Sequence, residues 1–208
     1  MTSKDSILYI DKAKKMAGKM FDFAVNACGI EGDLFWDMLI CSGIAKQMEK
    51  MNPKYVSGKS GIEIVFDVMG IIGLEVTPRD NHMAGRSAAY WCGWALIQYQ
   101  MYSGLSYKDI HSIVSFAELM AMYPTLHEAD IEKFKDIMDR KWSKKDSRLK
   151  KQREISKMSQ SQLSKSSGVS IKTIQAYEQK IKDINQGKYA TLQKLSDALN
   201  CDISDILE

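Results

Sequence analysis

Apolar residues recur every three or four positions along much of the chain, which is the spacing of one face of an α-helix. In the N-terminal part this pattern predicts two amphipathic helices, the second ending at Asn52-Pro53. Residues 62–69 fit either a buried helix or a strand, and we favour helix. The two predicted core faces are Ile10, Ala13, Ala17, Met20, Phe21 and Ala24, followed by Leu34, Met38, Cys41, Ala45 and Met48.

A broad apolar face over residues 86–101 predicts a buried helix, which Ser103-Gly104 should end. Serine or threonine with a glutamate three positions later is typical of a capping box, so further helices should begin near Ser115 and Thr125. The last segment should bury Phe134. We therefore expect residues 1–140 to form a helical bundle, followed by a linker at residues 141–147.

Residues 148–208 contain the spacing of five short helices. The first, at residues 148–155, should pack through Leu149 and Ile155. Ser159 should cap the second, and Gly168 should end it because a residue past a helix terminus often needs positive φ. Ser170 should cap the third. Its buried side holds Ile174 and Tyr177, and two later helices are marked by Leu192, Leu195, Ala198, Leu199, Ile203, Ile206 and Leu207.

The two parts of the chain differ in net charge. Residues 140–208 contain 15 Lys and Arg against 8 Asp and Glu, a net charge of +7, whereas residues 1–139 contain 14 against 18, a net charge of −4. A basic C-terminal part favours binding to a polyanion such as DNA.

The C-terminal residues resemble the XRE family of helix-turn-helix regulators, the Cro and lambda-repressor type. The resemblance rests on Ser-Gln-x-x-Leu at Ser159, Gly-Val-Ser at Gly168 and Tyr-Glu at Tyr177. It implies a five-helix lambda-repressor-like domain, which together with the helical bundle predicted before it makes an all-α protein. The glycine and proline of many relatives are replaced by residues 179–185, so that loop should follow its own path.

The resemblance implies that the third helix lies in the major groove of double-stranded DNA. Gln160 would bind a phosphate, and Ala176 would offer only a methyl contact. Glu178 would be structural. The residues expected to read bases are Ser170, Ile171, Lys172, Thr173 and Gln175, and those expected to meet phosphate are Lys150, Lys151, Lys180, Lys182 and Asn185.

One such helix reads few base pairs, so we expect a homodimer on a palindromic operator, with regulation as an operon repressor. Residues 90–104 and 122–130 resemble a segment of bacterial regulators similar to antitoxins, which implies a toxin protein as partner. The alternatives are a ligand-sensing repressor and a DNA-targeted enzyme. The aromatic residues that fit a partner surface, a ligand pocket or a core are Tyr90, Trp91, Trp94, Tyr99 and Tyr102.

Several other classes lack sequence support. There is no signal-peptide pattern and no long apolar run, so we expect a cytoplasmic protein outside the membrane, at the nucleoid when bound to its operator. The four cysteines are widely spaced, which favours buried reduced thiols over a zinc site. His127-Glu-Ala-Asp is not a metal-binding His-Glu-x-x-His motif, and Arg79-Asp-Asn-His82 fits a hydrated loop. We expect no cofactor, no metal and no enzymatic activity.

Overall fold

The chain divides into two compact units, Met1–Asp139 and Arg140–Glu208. The structure is a computed structural model that describes residues 3–79 and 87–208. Within these ranges all regular structure is helical and no strand occurs, which confirms the all-α prediction. The predicted polar loop begins at Arg79, but its residues Asp80, Asn81 and His82 lie outside the described residues.

The N-terminal unit opens with α1 (Ser3–Asp22), which continues into a π-helical turn at Phe23–Ala27. The predicted second helix is two helices, α2 (Gly32–Cys41) and α3 (Ile44–Glu49), because Gly43 adopts φ +76° between them. The short α4 (Pro53–Val56) follows.

The predicted core face of the second segment is wrong in part. Leu34 is 49% exposed and Cys41 is also exposed, whereas Phe35, Trp36 and Leu39 are buried. The expectation of buried thiols is therefore wrong for Cys41. At the first face Ile10 is 37% exposed, while the other predicted positions are buried.

Residues 62–69 are helical, as favoured, within α5 (Gly61–Ile72), which opens with a capping box between Ser60 and Glu63. Then α6 (Ala88–Ser103) ends at Gly104 with φ +70°, as predicted. Gly93 lets α6 approach α1 closely, since a Cβ there would lie 2.3 Å from the carbonyl oxygen of Ala17.

Three more helices follow, α7 (Tyr107–His111), α8 (Phe116–Leu126) and α9 (Ile131–Lys144), and α9 runs past Asp139, the last residue of the unit. The Ser115 capping box is present, but the predicted helix start at Thr125 is wrong. Thr125 lies inside α8, where its hydroxyl donates to the carbonyl oxygen of Met122 at 3.0 Å. Because α9 continues through residues 141–144, only residues 145–147 of the predicted linker are non-helical.

The C-terminal unit contains five α-helices after this connection, with a 3-10 turn at Ile184–Gln186. They surround a separate core that includes Leu149, Leu163, Ile174, Tyr177 and Leu195. Their bounds are α10 (Arg148–Ile155), α11 (Gln160–Ser167), α12 (Ile171–Glu178), α13 (Tyr189–Leu199) and α14 (Ile203–Ile206).

The predicted packing of α10 is wrong at one position. Leu149 is fully buried, but Ile155 is 71% exposed. Position 153, four residues after Leu149, shares its helix face and carries the inward side chain instead. Arg153 is 9% exposed there because a buried carboxylate neutralises it.

Candidate nucleic-acid interface

The turn between α11 and α12 is built by local hydrogen bonds. The Ser159 hydroxyl accepts from the backbone N–H of Gln162, whose side chain accepts in return from the Ser159 N–H. Gly168 ends α11 with φ +68°, a conformation that glycine adopts without a Cβ penalty. Ser170 then caps α12 by accepting from the Thr173 N–H at 3.2 Å. All three predicted signals are present.

One side of α12 is buried and the other is accessible. Ile174 is 0% and Tyr177 2% exposed, so these residues anchor α12 to the core. The predicted base-reading residues lie on the other side: Ser170, Ile171 and Lys172 are exposed, and Thr173, Gln175 and Ala176 are half-buried.

The end of α12 is held by a buried ion pair. Glu178 is 7% exposed, and its carboxylate accepts from Arg153 Nε at 2.6 Å and from Nη2 at 3.0 Å. The hydrogen bonds to Glu178 raise the pKa of Arg153. Arg153 Nη1 also donates to the carbonyl oxygen of Met158. The structural role that the resemblance implied for Glu178 is confirmed.

Gln160, the predicted phosphate contact, belongs to the same network. Its Nε2 donates to Glu178 Oε2 at 2.8 Å, and its Oε1 accepts from Gln175 Nε2 at 3.3 Å. Gln160 and Gln175 are therefore brought together, the first at the start of α11 and the second on α12. Side-chain hydrogen bonds, in addition to the backbone, therefore fix the positions of Gln160 and Gln175.

A cleft of about 410 Å³ opens beside the start of α12. Gly168, Ser170 and Thr173 are among the residues that line it. The loop after α12 and the start of α13 contribute Lys182, Gln186, Lys188, Thr191 and Lys194. Hydroxyl and ammonium groups around one cavity suit an anion.

Of these lysines, only Lys182 was predicted from the sequence. Lys188 and Lys194 were missed because they belong to the fourth helix of the unit, far from the motif. The sequence does contain one indication of a phosphate contact there, a lysine directly before the start of a helix. Lys188 is the N-cap residue of α13 and makes no side-chain cap bond.

The other predicted basic residues lie elsewhere in the same unit. Lys150 Nζ bonds Asp146 Oδ1 at 2.7 Å, and that hydrogen bond lowers the pKa of Asp146, with Lys151 and Lys180 adding to the effect. Lys180 Nζ lies 3.6 Å from the ring centroid of Trp142 and donates to its carbonyl oxygen at 3.0 Å. All three lysines therefore lie near the Asp146 carboxylate, and Lys180 also contacts the Trp142 indole.

Asn185, the last predicted phosphate contact, is exposed, and its side-chain oxygen accepts from the Glu208 N–H at 3.1 Å. This bond links the loop after α12 to the last residue of the chain.

The comparisons with known proteins agree with this geometry. Residues 149–206 match the family model described as helix-turn-helix. The C-terminal unit is a helix-turn-helix domain of the XRE type. A helix-turn-helix domain supports a role as a DNA-binding transcription regulator. No curated protein and no solved structure matches the chain.

None of the helices in the described ranges is long and apolar enough to cross a membrane. Nor do residues 3–79 and 87–208 contain a group of three or more His, Cys, Asp and Glu that could hold a metal ion.

The aromatic residues predicted for a partner or ligand fall into two places in the N-terminal unit. Tyr90, Trp91 and Trp94 line one cavity. Tyr99 and Tyr102 do not; both of their hydroxyls donate to the Asp139 carboxylate, at 2.9 and 3.1 Å. Burial is the main reason that the pKa of Tyr99 is raised, and the bond to Asp139 adds to it. Tyr99 is part of the core.

Proposed function

We propose that the protein is a sequence-specific transcription repressor that binds a palindromic operator as a homodimer. The observation that carries this proposal is the accessible side of α12 beside a cleft lined by three lysines. Ser170, Ile171, Lys172, Thr173 and Gln175 are the proposed base-reading residues. An α-helix fits the major groove, where each base pair presents a distinct pattern of donors and acceptors.

The cleft supplies the phosphate contacts in this proposal. Lys182, Lys188 and Lys194 can neutralise phosphates on one strand, while the start of α13, which no side chain caps, adds partial positive charge. Such contacts set the position of the protein on the duplex without reading sequence. Base reading is left to the accessible side of α12.

The remaining predicted contacts enter the proposal in different ways. Gln160 would meet phosphate while bonded to Gln175, and Ala176 would contact a thymine methyl. Lys150, Lys151 and Lys180 surround Asp146, which offsets part of their charge. We therefore assign them a smaller share of the phosphate contacts than the cleft lysines.

We propose a dimer because the base-reading surface of a single α12 is small. One helix contacts only a few base pairs, and two copies on a palindrome with half-sites about one helical turn apart multiply specificity. Binding of a repressor at its own promoter would then exclude transcription of its operon.

For the N-terminal unit we propose a partner-binding role, with the toxin of a toxin-antitoxin pair as the first candidate partner. The resemblance of residues 90–104 and 122–130 to segments of antitoxin-like regulators supports this role. The test is co-expression with the product of the adjacent gene. A stable complex and relief of growth arrest are expected; growth arrest that the full chain leaves unchanged would contradict the toxin assignment.

The DNA-binding proposal is tested by selecting bound fragments from random duplex DNA with the full chain. A palindromic motif is expected. The double variant Lys172→Ala, Gln175→Ala should lose the preference for that motif, since each good side-chain contact to a base is worth about 1–3 kcal/mol of discrimination. Its general affinity for DNA should fall much less.

The control is Lys165→Ala, which removes an exposed lysine of α11 outside the cleft. It should keep the preference for the selected motif. A double variant that selects the same motif as the unmodified chain would show that α12 does not read bases. A motif without two-fold symmetry would contradict the dimer.

A further inference from the structure

The N-terminal unit contains a cavity of about 490 Å³ that is walled mainly by aromatic rings. Tyr90, Trp91 and Trp94 line it from α6, and Tyr123 and His127 line it from the end of α8. Its volume lies in the range of about 300–1,000 Å³ that is typical of small-molecule sites. The DNA-binding residues lie in the other unit, so this cavity has no part in the interface described above.

Packing against the rest of the unit fixes the walls. Trp91 is 7% exposed, and its ring meets the rings of Tyr123 and Phe134 edge-on, at centroid distances of 6.0 and 5.6 Å. The Tyr90 ring lies over Gly18, where a Cβ would come within 2.8 Å of it. A ligand would therefore meet rings whose rotamers are already fixed, which lowers the entropic cost of binding.

The orientation of His127 is also fixed. Its ring stacks on Tyr123 at a centroid distance of 4.4 Å, and its Nδ1 lies 2.8 Å from the carbonyl oxygen of Tyr123. Because a carbonyl oxygen only accepts, Nδ1 carries the hydrogen. The Nε2 atom then faces the Glu128 carboxylate at 3.6 Å. With Nδ1 as the donor, Nε2 of the neutral ring presents only a lone pair, so the Glu128 carboxylate, which is 89% exposed, is hydrated rather than paired with His127.

Lys15 supplies the remaining charge. It lines the cavity from α1, is exposed, and makes no ion pair with any residue in the described ranges. The edge of this aromatic cavity therefore has one ammonium group whose charge is not neutralised nearby.

We propose that the cavity binds a small planar aromatic molecule that carries an anionic group. The faces of Tyr90, Trp94 and His127 offer stacking partners for a planar ring, and Lys15 offers a charge-assisted hydrogen bond to the anion. A cationic ligand fits less well, since Lys15 would repel it while the Glu128 carboxylate is 89% exposed and hydrated and offers only a weak attraction. The inference concerns this unit alone and does not depend on DNA binding.

The test uses three probes with the same ring and different charge, namely indole-3-acetate, indole-3-acetamide and tryptamine. Each is titrated into the full chain by isothermal calorimetry. Saturable binding is expected, with the acid preferred over the amine by about three- to tenfold, the effect of one exposed ammonium that attracts the acid and repels the amine. Lys15→Gln should remove the preference for the acid and keep the binding of the amide.

Two further variants test whether the probes bind in the cavity or elsewhere on the protein surface. Trp94→Ala and His127→Ala should each weaken all three probes, with circular dichroism checking that the variants remain helical. Lys12→Gln, an exposed lysine of α1 outside the cavity, should change nothing. If one of the two wall variants unfolds, the other still tests whether the probes bind in the cavity.

Three results would overturn the proposal. They are the absence of saturable binding by every probe, tryptamine binding as tightly as the acid, and unchanged binding in both folded wall variants. The last result would place the probes elsewhere on the protein.

Discussion

Arg153 and Glu178 form a buried bidentate ion pair that joins α10 to the end of α12. The two N···O distances are 2.6 and 3.0 Å, and the side chains are 11% and 3% exposed. The same carboxylate accepts from Gln160 at the start of α11. Three helices of the helix-turn-helix domain thus share one acidic group.

Removing one partner of this pair should strongly destabilise the C-terminal unit. Glu178→Gln leaves Arg153 buried without a neutralising charge, and the free energy of unfolding should fall by about 3–5 kcal/mol. Urea denaturation followed by circular dichroism measures the loss. Glu154→Gln is the control, because Glu154 is half exposed and lies 3.9 Å from the same guanidinium. An equal, small effect of both changes would show that the buried pair contributes little.

The two groups of lysines should differ in the salt dependence of DNA binding. Each phosphate contact contributes about 0.9 to the slope of log affinity against log salt concentration. Lys188→Gln and Lys194→Gln should each lower the slope by about that amount. Lys150→Gln should lower it less, because Asp146 already pairs with that lysine at 2.7 Å. Filter binding across a salt series measures the slopes, and a larger loss for Lys150→Gln would contradict the cleft assignment.

Asp33 should make the N-terminal unit sensitive to acid. Burial raises the pKa of its carboxyl, but hydrogen bonds from the α8 backbone and from His111 outweigh this and hold the pKa below the usual value. The bond from the Phe116 N–H is 2.6 Å long and that from His111 Nε2 is 2.9 Å. The ionised carboxylate therefore stabilises the folded state.

The sign of the pH dependence follows from this lowered pKa. The stabilisation is complete above the unfolded pKa of about 3.9 and is lost as the pH falls through the lower folded pKa. Asp33→Asn should cost about 1–3 kcal/mol near neutral pH and flatten the decline of stability in acid. Urea titrations at a series of pH values measure both. An unchanged slope in acid would show that another group causes the decline.

Two glycines of the N-terminal unit should respond to alanine in opposite directions. At Gly93 a Cβ would lie 2.3 Å from the Ala17 carbonyl oxygen, so Gly93→Ala should cost about 1–3 kcal/mol or more by forcing α1 and α6 apart. Gly70 lies inside α5 with no atom within 4 Å of such a Cβ. Gly70→Ala should therefore stabilise by up to about 1 kcal/mol. Thermal unfolding compares them, and a Gly93→Ala variant as stable as the unmodified chain would contradict the close packing of α1 on α6.

Local signals predicted most helix ends correctly. Gly104 and Gly168 have the positive φ expected of them, and the Ser115 and Ser159 capping boxes form. These features depend on three to five neighbouring residues, so the sequence contains all that determines them. Thr125 is an exception. It has the residues of a capping box, but α8 continues through it because the longer helix supplies its backbone bonds.

Features that depend on distant partners were not predictable in the same way. The burial of Arg153 in place of Ile155 requires Glu178, which lies 25 positions later. The lysines of the cleft come from the loop after α12 and from α13, and only the folded unit brings them beside Ser170. Likewise, the helical spacing of α2 fits more than one face, and packing selected the one with Trp36.

The bond between Gln160 and Gln175 also bears on the entropy of recognition. A free glutamine loses considerable rotamer freedom when it is fixed against a base, at a cost of up to about 2 kcal/mol. Here folding has already restricted Gln175, whose Nε2 uses one hydrogen on Gln160. The second hydrogen and the oxygen remain, and they match adenine in the major groove, where N7 accepts and the N6 amino group donates. A base contact by Gln175 would therefore begin from a side chain that is already ordered.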